Sequence, residues 1–316
     1  MNPAKNLPLA ARSRLLQKSN AKGFAILLGN WLMIAAFLVL PCLWPGPITV
    51  LISLIGLGGR QLGLAILMHD CSHRTLFADE RLNDILGQWL CAAPVFVSLP
   101  GYRSYHLKHH QLAGSPDDPD IQNYLPYPVS RESLKRKLIR DLSGMTGFKL
   151  MLVILRMGFG FQAYELSYKS ERRSIAPAQV FKEFRKNLLL PVIINTMMAV
   201  PFFMSGYGLT FCLWPLAWFT TYMAFSRIRN AAEHASVPDI NSKDPLKNTR
   251  TTLVSWWERL TIAPNYVNFH LEHHLLPSVP GYRLAEMHAL LKKTDGYRHA
   301  EVCRGYGEVF QKLLKH

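Results

Sequence analysis

Charged residues are missing from two long stretches of this 316-residue chain. No Asp, Glu, Lys or Arg occurs between Lys22 and Arg60, or between Lys186 and Arg227. Each gap is long enough for two helices that cross a bilayer, since about 20 helical residues span the roughly 30 Å hydrocarbon layer. Pro45-Gly46-Pro47 and Gly206-Tyr207-Gly208 supply turn chemistry near the middle of each gap. The pattern predicts two transmembrane hairpins, residues 23–68 and 187–226, each leaving and re-entering the membrane on one side. Segments 1–22, 69–186 and 227–316 would then lie on that side. The expected fold is an all-α membrane protein with four transmembrane helices and a helical cap.

Charge gives the hairpins a direction. The chain has 36 Lys and Arg against 21 Asp and Glu, a net charge of +15, and the basic residues avoid the hairpins apart from Arg60. By the positive-inside rule both termini and the cap are cytoplasmic, and the protein is integral and multi-pass. A basic chain can also bind nucleic acid, but the apolar spans argue against that partner. The five cysteines show no C-x-x-C spacing and imply no disulfide framework. The first apolar segment is too long for a signal peptide and lacks a small-residue cleavage site.

Smaller segments have their own expectations. Residues from Leu7 to Lys18 read as a helix on the membrane surface or a loose basic tail. Arg60 is expected to snorkel to water or line a polar cavity. The run from Asp84 to Pro100 reads as interfacial or re-entrant, and Pro126 to Ala178 as an amphipathic layer on the membrane. Trp256 and Trp257 suit an interface.

The candidate chemistry lies in the histidines. His106-Leu107-Lys108-His109-His110 and His270-Leu271-Glu272-His273-His274 repeat one H-x-x-H-H pattern. At this histidine content about 0.02 chance copies are expected per chain, so two copies indicate a site. With His69, His73 and His234 they gather nine of the twelve histidines into four short clusters, all expected at the cytoplasmic ends of the spans. On a helix, residues three and four apart share a face, so each cluster aims its imidazoles together, as metal ligands require. Nine donors overfill one ion, and a dinuclear, histidine-rich centre is the simplest reading.

His69-Asp70-Cys71-Ser72-His73, the first H-x-x-H-H and Asn268-Phe269-His270-Leu271-Glu272-His273-His274-Leu275-Leu276-Pro277 resemble the three histidine boxes of membrane fatty acid desaturases. The resemblance runs from Gly23 to about Arg283. It implies a four-span, mushroom-like oxidoreductase whose cap holds two non-haem irons and uses O2 and two electrons on an unactivated C–H bond of a lipid acyl chain. The eight box histidines and His234 would be the ligands, and Asn230 would contact a metal-bound water. Iron also follows from the chemistry, because zinc offers only Lewis acidity and a bound hydroxide. Asp70, Glu233 and Glu272 are candidates for orienting the ligands or solvated helix positions, and the acidic turn at Asp117, Asp118 and Asp120 reads mainly as loop chemistry. His288, His299 and His316 are expected to be structural, and Met197, Met198, Met204 and Met223 to pack within the spans.

Desaturation needs two electrons from outside. The chain has no dinucleotide fingerprint, no iron–sulfur cysteine spacing and no His-Pro-Gly-Gly signature of a fused cytochrome b5. A separate ferredoxin or cytochrome b5 with its reductase is therefore expected to dock on the basic cap. The alternatives are a hydroxylase or ketolase of carotenoid type on the same centre and, more remotely, a metal transporter. A transporter would place ligands nearer the membrane midplane.

Overall fold

The computed structural model describes residues 2–162 and 173–315. A single-turn 3-10 helix, Pro3–Asn6, leads into α1 (Leu9–Leu15). Helices α2 (Asn20–Leu43) and α3 (Pro47–Ser72) form the first hairpin. Then come α4 (Glu80–Leu86), α5 (Leu99–Leu112), α6 (Ile121–Tyr124), α7 (Arg131–Leu142), α8 (Met145–Gly158) and α9 (Pro177–Asn187). The second hairpin holds α10 (Leu189–Met204), α11 (Gly208–Phe211), α12 (Leu213–Phe219) and α13 (Thr221–His234). The rest comprises α14 (Pro245–Asn248), β1 (Thr251–Leu253), α15 (Trp256–Leu260), α16 (His270–Leu275), α17 (Leu284–Leu291), β2 (Val302–Arg304) and α18 (Gly305–Leu313). The two strands pair in parallel with Thr252 opposite Cys303.

The first hairpin forms where the uncharged stretch predicts it. Ser19 caps α2 by accepting from the Lys22 amide, and Pro47 opens α3 in the first turn, where its missing N–H is not needed. These two helices are long and apolar enough to cross a membrane. Two bent pairs raise the number to four at most if each is one span: Glu80–Val95 with Leu99–Leu112, bent by 92°, and Pro177–Asn187 with Leu189–Met204, bent by 52°. Leu28, Leu43, Phe203 and Met204 are exposed on α2 and α10, as lipid-facing side chains would be.

The expected fourth span, residues 209–226, is not one helix but three pieces, broken at Cys212 and Thr220. Pro215 lacks an N–H and its ring crowds the carbonyl of Phe211, which accounts for the first break. At the second, the Thr220 hydroxyl bonds the Leu216 carbonyl at 2.6 Å and Thr221 reaches across to the Leu54 carbonyl of α3 at 2.7 Å. Gly58 permits that crossing, since a Cβ there would lie 2.2 Å from the Thr221 hydroxyl. Of the methionines assigned to packing, Met223 is buried and Met198 joins the core between the hairpins, whereas Met197 and Met204 point outward. In the layer expected on the membrane, α7 and α8 expose Ile139, Leu142 and Phe148, while residues 163–172 lie outside the described residues.

Arg60 does not snorkel to water; it takes the other expected place and lines a cavity with Asn30 and Arg259. It is 3% exposed and donates to Asn30 Oδ1 at 3.3 Å and to the carbonyls of Arg259 and Leu260 at 3.1 and 2.7 Å, tying α15 to α3. The N-terminal segment is not a loose tail: it forms the expected short helix, Leu9–Leu15, and packs part of it against the protein. Ala4, Leu7 and Leu15 are buried in one cluster with Leu271, Leu275 and Leu291, while Asn2 donates to the Leu275 carbonyl at 2.9 Å. Arg283 Nε holds the Gln17 carbonyl at 2.9 Å, and Arg14 pairs with Glu286 at 2.6 Å. Arg14 and Leu9 face outward while Leu7 and Leu15 pack with Leu271 and Leu275 of α16. Burial of a leucine contributes about 1.5–3 kcal/mol. Deleting residues 1–17 is therefore expected to lower the thermal midpoint by several degrees. A thermal scan checks this, and an unchanged midpoint would mean that the segment does not support α16.

Candidate metal centre

Four elements distant in sequence bring the nine histidines together. His69 and His73 lie at the end of α3, His106, His109 and His110 on α5, His234 at the last residue of α13, and His270, His273 and His274 on α16. They form two groups: His69, His73, His106, His110 and His273, and His109, His234, His270 and His274. Within each group the donor nitrogens all lie within 4.8 Å of one another. Each H-x-x-H-H box is thus divided. Its first and last histidines, four apart, serve one group, and the middle one, turned about 100° from its neighbour, serves the other. The assignment is crossed, so α5 gives two donors to the first group and α16 gives two to the second.

The residues fit metal ions. His273 Nε2 lies 3.1 Å from His69 Nε2 and 3.0 Å from His110 Nε2, His110 Nε2 lies 3.0 Å from His106 Nε2, and His270 Nε2 lies 2.8 Å from His234 Nε2. Adjacent donors around an ion bound at about 2.1 Å stand roughly 3 Å apart. His73 Nε2 and His274 Nε2 are buried without a hydrogen-bond partner. Such orphaned nitrogens are costly in a dry interior unless something binds them.

The opposite ring nitrogens are held from outside the groups. His69 Nδ1 meets Asp70 at 3.0 Å, His109 Nδ1 meets Asp118 at 2.8 Å, His234 Nδ1 meets the Asn248 carbonyl at 2.9 Å and His270 Nδ1 lies 3.4 Å from Glu233. An N–H donated from Nδ1 leaves the Nε2 lone pair free, as metal-bound histidines generally require. Burial, and then the neighbouring imidazoles, keep His270, His273 and His274 well below the usual histidine pKa, and burial holds His234 near 3. They are neutral at physiological pH. His109 differs: burial lowers it, but the hydrogen bond to Asp118 and the nearby carboxylates raise it overall.

Other residues fall into place around the groups. Asn230 lines a cavity of about 30 Å³, room for about one water, with His109, His234 and His270, and its Oδ1 accepts from Arg229 at 2.9 Å. Glu233 pairs with Arg229 at 2.5 Å. Asp118 lies in the turn read mainly as loop chemistry, yet it is buried and holds His109; its place eight residues beyond the box is the signal that could have singled it out. Glu272, between two histidines in sequence, points away from both groups. It accepts from Thr251 and Tyr297 and meets His288 Nδ1 at 2.6 Å, which also gives His288 its structural role. His299 is exposed, and His316 lies outside the described residues.

Residues 43–305 match the family model described as fatty acid desaturase. The chain is 25% identical over 307 residues to the dihydrorhizobitoxine desaturase of Bradyrhizobium elkanii, a match covering 94% of this chain and 82% of that protein. It is 25% identical over 312 residues to a chloroplastic omega-3 fatty acid desaturase of Brassica napus, covering 95% and 70%. A beta-carotene ketolase of Paracoccus sp. (strain PC1) is 25% identical over 285 residues, covering 86% and 91%. The matched span includes all nine histidines, and the chain belongs to the fatty acid desaturase family.

Proposed function

We propose that this protein is an O2-dependent di-iron desaturase that introduces a double bond into the fatty acyl chain of a lipid. The observation that carries this reading is the pair of buried histidine groups, each with its donor nitrogens turned inward. In the overall reaction a CH2–CH2 pair gives up two hydrogens, O2 takes them with two external electrons and two protons, and two waters form. Two irons, when bound, supply the redox chemistry for reducing O2 and removing those hydrogens. His69, His73, His106, His110 and His273 would hold one, and His109, His234, His270 and His274 the other, with Asn230 placed to orient a water.

The chain's own residues fix the donors and shield the centre. Asp70, Asp118 and the Asn248 carbonyl accept the Nδ1–H of their histidines and lock the tautomer, while burial of six of the nine histidines limits the access of bulk water. In this reading the termini and the centre face the cytoplasm, the electrons come from a separate ferredoxin or cytochrome b5, and the acyl tail enters from the membrane. A second reading, ketolation or hydroxylation, draws on the likeness to the Paracoccus ketolase.

Lipid and carotenoid profiling by mass spectrometry under 18O2, with and without expression of the chain, separates the two. Desaturation is expected to lower product mass by two hydrogens with no label retained. Label in the product would transfer the proposal to the second reading. Metal analysis is expected to find about two irons per chain, and full activity with a single zinc would remove both.

A further inference from the structure

A second cavity, of about 410 Å³, opens on the flank of the first hairpin between α2 and α15. Its walls are apolar at Ile26, Met33 and Leu260, and aromatic at Trp256 and Tyr266. Arg60 and Arg259 also line it, and no Asp or Glu does. Arg60 is nearly fully buried in a helix apolar enough to cross a membrane, and its bonds go only to neutral acceptors, Asn30 and the carbonyls of Arg259 and Leu260. The Arg259 guanidinium lies over the Tyr266 ring, 5.7 Å from its centre. Among the described residues neither arginine forms an ion pair. The nearest acid in sequence, Glu258, is turned away, accepting from the Ser255 and Tyr306 amides at 2.7 and 2.8 Å.

Two cations with no carboxylate in an apolar, laterally open cleft form an unbalanced arrangement. A buried charge is costly without a counter-charge, and an ionisable side chain in a span marks a ligand site by default. Exposed Trp256 and Trp257, with Leu28 and Leu32 on the neighbouring turns of α2, place the mouth among lipid tails and head groups. We propose that this groove binds an anionic phospholipid of the surrounding bilayer, with Arg259 hydrogen-bonding its phosphate, Arg60 supplying charge beneath it and an acyl chain lying against Ile26 and Met33. Basic pockets beside membrane helices suit such head groups. Arg60 precedes His69 by nine residues, about 13 Å along α3, so the site is separate from the histidine groups. It does not depend on which reaction they perform.

The test uses the full chain in uncharged detergent, with retained lipid counted by native mass spectrometry during titration with phosphatidylglycerol or phosphatidylcholine. Wild type is expected to favour phosphatidylglycerol by about tenfold or more, because both lipids offer the same phosphate but only phosphatidylcholine adds a choline cation, which the two arginines repel. Arg259→Gln should lose about that factor and Arg259→Glu should bind no phosphatidylglycerol. Because Arg259 is exposed, both variants should keep the wild-type thermal midpoint. Lys135→Glu, the same charge change at an exposed position of α7, should bind like wild type. Equal affinity for the two lipids, wild-type binding by Arg259→Glu, or an equal loss in Lys135→Glu would overturn the proposal. So would displacement of the lipid by millimolar inorganic phosphate, which would make the groove a site for a free anion.

Discussion

Replacing His273 by alanine is expected to strip metal from the first histidine group and stop turnover. His273 is the hub of that group, with its Nε2 within 3.1 Å of both His69 and His110 and its side chain buried. Loss of a residue that merely orients a ligand costs about 10–100-fold in metal affinity or activity, so loss of a ligand should cost at least the upper figure. Iron content should fall from about two per chain toward one, with turnover below about 1% of wild type. Helix content by circular dichroism should hardly change, because the apolar helices satisfy their own backbone without the metal. His299→Ala, at an exposed position, is the control and should behave as wild type. A His273→Ala protein that keeps its full iron content and activity would remove His273 from the ligand set.

Asp118→Asn should loosen the other group while leaving the fold in place. Asp118 accepts from His109 Nδ1 at 2.8 Å, from the Asp120 amide at 2.9 Å and from the Tyr124 hydroxyl, and it is 2% exposed. Asparagine matches its shape but lacks its charge, and it can turn an N–H toward Nδ1. That would favour the tautomer with its proton on Nε2, where the metal must bind. The expected result is about 10–100-fold weaker iron retention, measured as faster release to a chelator, at an unchanged thermal midpoint. Exposed Asp117→Asn should release iron at the wild-type rate. Matching release rates in the two variants would mean that Asp118 does not act through His109.

Some of this was legible in the residues alone. The first hairpin was, because an uncharged stretch with a Pro-Gly-Pro break has few other stable solutions in a membrane. The second was legible only in part, since Pro215 and the pull of Thr221 on α3 divide a stretch whose hydropathy reads as continuous. Basic residues hid the N-terminal segment's packing. Its arginines suggested a surface helix or a tail, while the apolar surface that receives Leu7 and Leu15 is assembled from residues about 260 positions away.

The sequence by itself picked out the nine histidines that the fold gathers into two groups near helix ends, because spacing and hydropathy are local properties of the chain. It also carried the family, through motifs whose residue types the chemistry demands. Only the tertiary structure decided how the donors divide, since that depends on the rotation of α5 and α16 about their axes relative to α3 and α13. It likewise decided which acids meet the histidines: Asp118 reaches His109 from a turn, Glu272 turns away from both groups, and His234 relies on a backbone carbonyl at Asn248 that has no side-chain signature. The physical reason is the same in each case. A residue type limits what a side chain can do, but its partner is set by packing between segments that the sequence keeps far apart.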